Sequence, residues 1–346
     1  MKCDGKDVSA KAKSIRDEAI IIDGRDPTFL LHRFTKDEKE DYWPAVAASG
    51  ITAICVDPAW VDDGLREAAA SFAAWYSRIR QRGQVLVLDV EDIHRAKSEG
   101  KTGFILNLQS PTPVENEPGF VEVLQRMGLR IMQLAYQRRN FLADGCGEPN
   151  GAGLSRLGEE VLGEMNRVGV VADLAHASEQ VMIDVLSKST QPVINSHAGV
   201  RALMDHPRNM SDELLKALAQ QGGVFCISAY SAFLKKDGGQ TGTTIKDWLR
   251  HLDYLLDLIG PDHIGFGFDV GEGRSAAEVM ILHGSLKGAG VTQAPKHRYI
   301  TELTSRSNFP CLVEALVQAG YTDEVIHKVL GGNLLRLFGQ VWKSDL

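Results

Sequence analysis

Eight short apolar runs recur along the chain, each separated from the next by a stretch of helical spacing. They are AIIIDGRD (19–26), ITAICVDPAW (51–60), GFILNLQS (103–110), LRIMQLAY (129–136), VGVVADLAH (168–176), PVINSHA (192–198), GGVFCISAY (222–230) and HIGFGFDVGEG (263–273). Between them lie segments such as GLREAAASFAAWYSRIRQRG, SRLGEEVLGEMNRVG, SEQVMIDVLSKST and SDELLKALAQQGG. Several open on Ser and close near Gly, the residues that helix ends prefer. Near-continuous apolar strands alternating with helices predict a parallel sheet covered on both faces. Eight such units predict a closed (β/α)8 barrel of TIM type. GQVLVLDV (83–90) would be a further strand of an open sheet, but no glycine-rich nucleotide fingerprint follows the first run. With no linker or break in composition, residues 1–346 read as a single barrel domain.

A barrel places its chemistry at the C-terminal ends of its strands. The first run ends on Arg25 and Asp26, the third on Gln109 and the fourth on Tyr136. His176, His197 and Asp269 close the fifth and sixth runs and fall at the end of the eighth strand. All of these would converge on one mouth. Two histidines and an aspartate there suggest a divalent metal, most plausibly zinc, with room for a water. Arg208, in HPRN (206–209), is placed to grip a carboxylate with two parallel hydrogen bonds.

Composition narrows the classes. The chain is 44% hydrophobic and 24% charged, ordinary for a globular protein, and its net charge of −7 gives no footprint for nucleic acid or an anionic membrane. No segment reaches membrane-spanning apolar length, and the polar start MKCDGKDVSAKAKSIRDEAI lacks a signal-peptide core, so a cytoplasmic location is expected. The five cysteines (Cys3, Cys55, Cys146, Cys226, Cys311) show no C-x-x-C spacing and are expected to stay reduced.

GLSRLGEEVLGEMNRVGVVADLAHAS, PVINSHAGVRALMDHPRN, HIGFGFD and VLGGNLLRLF together resemble the membrane (renal) dipeptidase family of zinc metallopeptidases. The resemblance runs from IIDG to the GGNLLR near the C-terminus. It implies an amidohydrolase-like barrel, cleavage of dipeptides at a two-zinc site, and commonly a homodimer. By the same resemblance His176 and His197 are metal ligands, Asp269 is a ligand and proton carrier, and Arg208 holds the substrate carboxylate. Elsewhere the chain departs from the pattern. Where the family has D-G-H-x-D this sequence reads DGRDP, so Arg25 and Pro27 replace two zinc ligands. Gln109 replaces the glutamate that bridges the two metals, and Tyr136 replaces a histidine that assists the transition state.

These losses imply at most one zinc per chain, and none is an alternative. The expected protein is a dipeptidase-like hydrolase of a small amide or peptide-like substrate bearing a carboxylate. Its metal would rest on His176, His197 and Gln109, with Asp269 and Tyr136 in catalysis and Arg208 and Arg25 at the substrate. A metal-free lyase or isomerase, or a small-anion-binding protein on the same barrel, is the alternative. Arg25 comes from the first strand, beside the eighth once the barrel closes, so it is expected to pair with Asp269.

Overall fold

The structure is a computed structural model that describes residues 8–30, 41–273 and 296–343. Each predicted run contains a strand. These are β1 (Ile22–Asp26), β2 (Ala53–Val56), β4 (Gly103–Leu108), β5 (Leu129–Gln133), β6 (Val171–Asp173), β7 (Ile194–Ala198), β8 (Val224–Ile227) and β9 (Ile264–Phe266). GQVLVLDV contributes only β3 (Val85–Leu86), which pairs with the start of β4 and stays off the path β1-β2-β4-β5-β6-β7-β8-β9. All pairings are parallel, with crossover segments between successive strands. Between β1 and β9 closure rests on single contacts: Asp269 N–H donates to the Arg25 carbonyl at 3.1 Å, and Phe268 N–H to the Asp23 carboxylate at 3.0 Å. This is the near-closed eight-stranded barrel of a (β/α)8 protein.

Alternation along each strand splits the core in two. Ile105 points inward with Ile22, Cys55, Ile131, Val171, Ile194 and Val224, and Leu334, Leu337 and Phe338 of the C-terminal helix plug that cluster. Phe104 and Leu106 face outward into the larger cluster shared with the surrounding helices. Those helices begin and end where their sequences direct. Ser155 accepts from Gly158 N–H at 3.0 Å to start Arg156–Val168, and Gly169, at φ +78°, ends it in the left-handed region. Among the described residues no helix is long and apolar enough to cross a membrane.

Two glycines let the strands close. A Cβ on Gly24 would lie 3.1 Å from the Phe266 carbonyl oxygen and 3.2 Å from that of Ser196, while one on Gly267 would overlap the Ser196 carbonyl. Gly267→Ala is therefore expected to lower stability by about 1–3 kcal/mol or more through overpacking, read from urea denaturation. An unchanged midpoint would mean that β7 and β9 have slack there.

The cysteine expectation holds only in part. Cys55, Cys146 and Cys226 are free thiols, whereas Cys311 is disulfide-bonded. Cys3 lies outside the described residues.

Candidate active site

Tyr136, His176 and His197 come together at the ends of their strands. His176 follows β6, His197 sits within β7, and their Nε2 atoms are 3.0 Å apart. The Tyr136 ring stacks on His176 with centroids 4.3 Å apart. Arg208 lies within electrostatic reach of both histidines, Tyr136 and Asp269. Burial, then Arg208 and Arg25, holds both imidazoles well below their ordinary range, so both are neutral.

Protons in the histidine pair can be assigned from the hydrogen bonds. Asp173 accepts from Ser196 N–H and Ala175 N–H at 3.0 Å each, from Gln133 Nε2 at 3.0 Å, and from the Ser196 hydroxyl at 2.6 Å. The single hydroxyl proton of Ser196 is thereby committed. His197 Nδ1, 2.7 Å from Ser196 Oγ, must donate to it, which leaves His197 Nε2 as an acceptor. His176 Nε2–H then donates to His197 Nε2, and His176 Nδ1 is buried with no partner among the described residues.

Arg25 behaves differently from expectation. Its main partner is Asp57, one residue past β2: Nη1 meets Oδ1 at 2.5 Å, and Nη2 pairs with Oδ2. Both side chains are fully buried. Asp269 is only a second, longer partner, with Nε to Oδ1 at 3.8 Å and 23% of its side chain exposed. A neighbouring carboxylate locked face to face outcompetes one that still reaches water. Burial pushes the Asp57 carboxyl up to about 8 while Arg25 pulls against it. Asp26, also at the end of β1, turns away to Arg306 (3.1 Å) and accepts from the Tyr42 hydroxyl at 2.7 Å.

Several polar groups at or beside the mouth are buried with unmet hydrogen-bonding capacity. Arg208 is 1% exposed; Nη2 donates to the His197 carbonyl at 3.1 Å, but Nε and Nη1 have no partner among the described residues. Gln109 Oε1, Gln137 Nε2 and the Tyr230 hydroxyl are likewise without one. Burial pushes the Tyr230 phenol up to about 12, keeping it a donor. Asp57, Gln137 and Tyr230 were missed by sequence reasoning. Asp57 carried a usable signal, since it is the first polar residue after ITAICV, as Gln109 is close behind GFILNL.

Backbone strain is concentrated at this end. His176 at φ +68° and Asp269 at φ +56° are two of four non-glycine residues with positive φ among those described. The His176 carbonyl is pinned by Cys146 N–H at 2.8 Å, and Asp269 N–H by the Arg25 carbonyl.

Fold and mouth together define a barrel of the amidohydrolase kind. An amidohydrolase from Pseudomonas aeruginosa superposes with a TM-score of 0.86 at 29% identity, over 96% of this chain and 99% of that one. The model of the membrane dipeptidase family (peptidase family M19) matches residues 46–279, and the chain belongs to that family. A dipeptidase of Claviceps purpurea is 30% identical over 253 residues, 72% of this chain and 54% of that protein. One of Clonostachys rogersoniana is 31% identical over 244 residues, 70% and 56% respectively. The chain thus spans about half the length of these curated relatives. A metallo peptidase from Rhodobacter sphaeroides shares the fold, with a TM-score of 0.78 at 18% identity over 94% of this chain and 100% of that one.

The residues present do not fit the family's metal centre. Arg25, clamped by Asp57, and Pro27 occupy the two positions at which the sequence resemblance had implied a ligand histidine and a ligand aspartate. No group of three His, Cys, Asp or Glu side chains among the described residues is arranged to hold an ion. His176 and His197 remain, with no anionic donor beside them among the described residues and two guanidiniums in range.

Proposed function

We propose that this chain is a dipeptidase-like hydrolase of a small amide or peptide-like molecule, which it holds by a carboxylate at the barrel mouth. The observation that carries this is Arg208, a fully buried guanidinium with two N–H-bearing nitrogens left unpaired. A buried cation without a counter-anion is costly, and a bound carboxylate would satisfy both nitrogens at once. The other unpaired groups suit the rest of such a molecule: Gln137 Nε2 and the Tyr230 hydroxyl donate, while Gln109 Oε1 and His176 Nδ1 accept. Asp269, partly exposed and held by Arg25, is the carboxylate positioned to take a proton from water as it attacks the amide carbon. The C–N bond then breaks, and the departing nitrogen receives that proton.

Calorimetric titration with dipeptides and N-acyl amino acids, each beside its C-terminal carboxamide, tests the anchor. The free acids should bind and the carboxamides should not; equal binding of both would overturn the reading. Mass spectrometry of the reacted ligand tests the reaction, since hydrolysis products together weigh one water more than the substrate. The misfit to zinc favours a second reading, proton transfer on a carboxylate without hydrolysis, for which that added mass would be absent.

A further inference from the structure

We infer that this barrel keeps no resident zinc, because the family's metal positions have been rebuilt as two hydrogen-bonded clusters of the protein's own side chains. The first is the Arg25–Asp57 pair, which brings its own fixed positive charge and its own carboxylate. A cation placed beside it would meet a guanidinium already committed in a dry interior.

The second cluster is decided by protons more than by distance. Two nitrogens bound to one tetrahedral zinc sit about 3.3 Å apart, so the 3.0 Å between His176 and His197 does not by itself exclude an ion. Each Nε2 would, however, have to present a lone pair. His197 already does, because the Asp173–Ser196 chain holds its proton on Nδ1. This is the outer support that ligand histidines normally have. His176 has no such support. To free its Nε2 it would have to move its proton to Nδ1, where no acceptor lies among the described residues. Binding zinc would therefore exchange the His176–His197 hydrogen bond for a buried, unpaired N–H. Gln109 is neutral, and among the described residues no carboxylate joins the two histidines to offset this. Asp173 is the nearest acid in the chain of contacts, and its four donors occupy it.

The inference concerns only the metal, so its failure is separable from failure of the proposed function. The test uses the full chain, produced in zinc-supplemented medium and purified without chelator, then dialysed against zinc-free buffer. Elemental analysis should give substoichiometric zinc, and carboxylate binding should be unchanged by a chelator. Nitrogen-15 spectra of the histidines should show His197 protonated on Nδ1 and His176 on Nε2. Stoichiometric zinc that is lost in His197→Ala, or a His176 proton on Nδ1, would overturn the inference. Stoichiometric zinc that persists in a His176→Ala/His197→Ala variant would overturn it as well, since the barrel would then keep a zinc at another site. A change in carboxylate binding with zinc at neither histidine would count against the proposed function alone.

Discussion

Replacing Arg25 with alanine is expected to destabilise the fold by about 1–3 kcal/mol near neutral pH, because it leaves the fully buried Asp57 carboxyl without its hydrogen-bond partner. The companion variant Arg25→Met/Asp57→Leu removes both charges and should recover most of that loss, since apolar replacements of similar volume are often neutral. The pH dependence carries the same signature. Burial already raises the folded Asp57 carboxyl to about 8 against an ordinary 3.8, with Arg25 opposing the rise. Between those values the folded state binds a proton that the unfolded state has released. Stability tied to this group is therefore complete below about pH 4 and falls as pH rises toward 8. Without Arg25 the folded carboxyl should rise further, so the decline should continue to higher pH. Denaturation midpoints at pH 5 and pH 8 for the three proteins decide the matter; an Arg25→Ala midpoint equal to the parent's at both would show that the pair contributes nothing.

Arg208 should behave in the opposite sense. Arg208→Met removes a buried, half-paired cation and is expected to stabilise the ligand-free protein by about 1–3 kcal/mol. The same change should weaken binding of a free-acid ligand by about 30-fold or more, roughly 2 kcal/mol at least, as for loss of one partner of a buried charge pair. Thermal unfolding with and without ligand shows both effects together: a higher midpoint alone, and little further rise on adding the acid. A variant that is less stable and still binds would mean that Arg208 serves the fold. The guanidinium also lies over the Phe233 ring at 5.1 Å, so methionine, which retains bulk there, is a better replacement than alanine.

The barrel was legible because each strand needs the same thing, a short run apolar on both faces, and each helix is marked by its caps. All eight runs contain the strand that their pattern required. The strand ends were legible for the same reason, since a polar side chain closing a buried run has few places to go. What pattern could not rank was competition among partners. Arg25 had a carboxylate on each side of it, and the choice of Asp57 over Asp269 depends on burial and on a two-point fit that appears only in three dimensions. Asp26 shows the converse: it ends the first strand, yet its partner Arg306 comes from far along the chain. The tautomers of His176 and His197 were equally out of reach, because they follow from Ser196 and Asp173, which in sequence look like ordinary strand residues.

The left-handed backbone at His176 and Asp269 bears on how this site can change over evolutionary time. Each position would be more comfortable as glycine or asparagine, so drift under selection for folding alone would erode both side chains. Glycine at either position would relax the backbone but remove the side chain that the mouth presents, so folding and chemistry make opposite demands there. Robustness to mutation and usefulness therefore pull against each other at these two residues, while the surrounding strands can wander among apolar side chains at little cost.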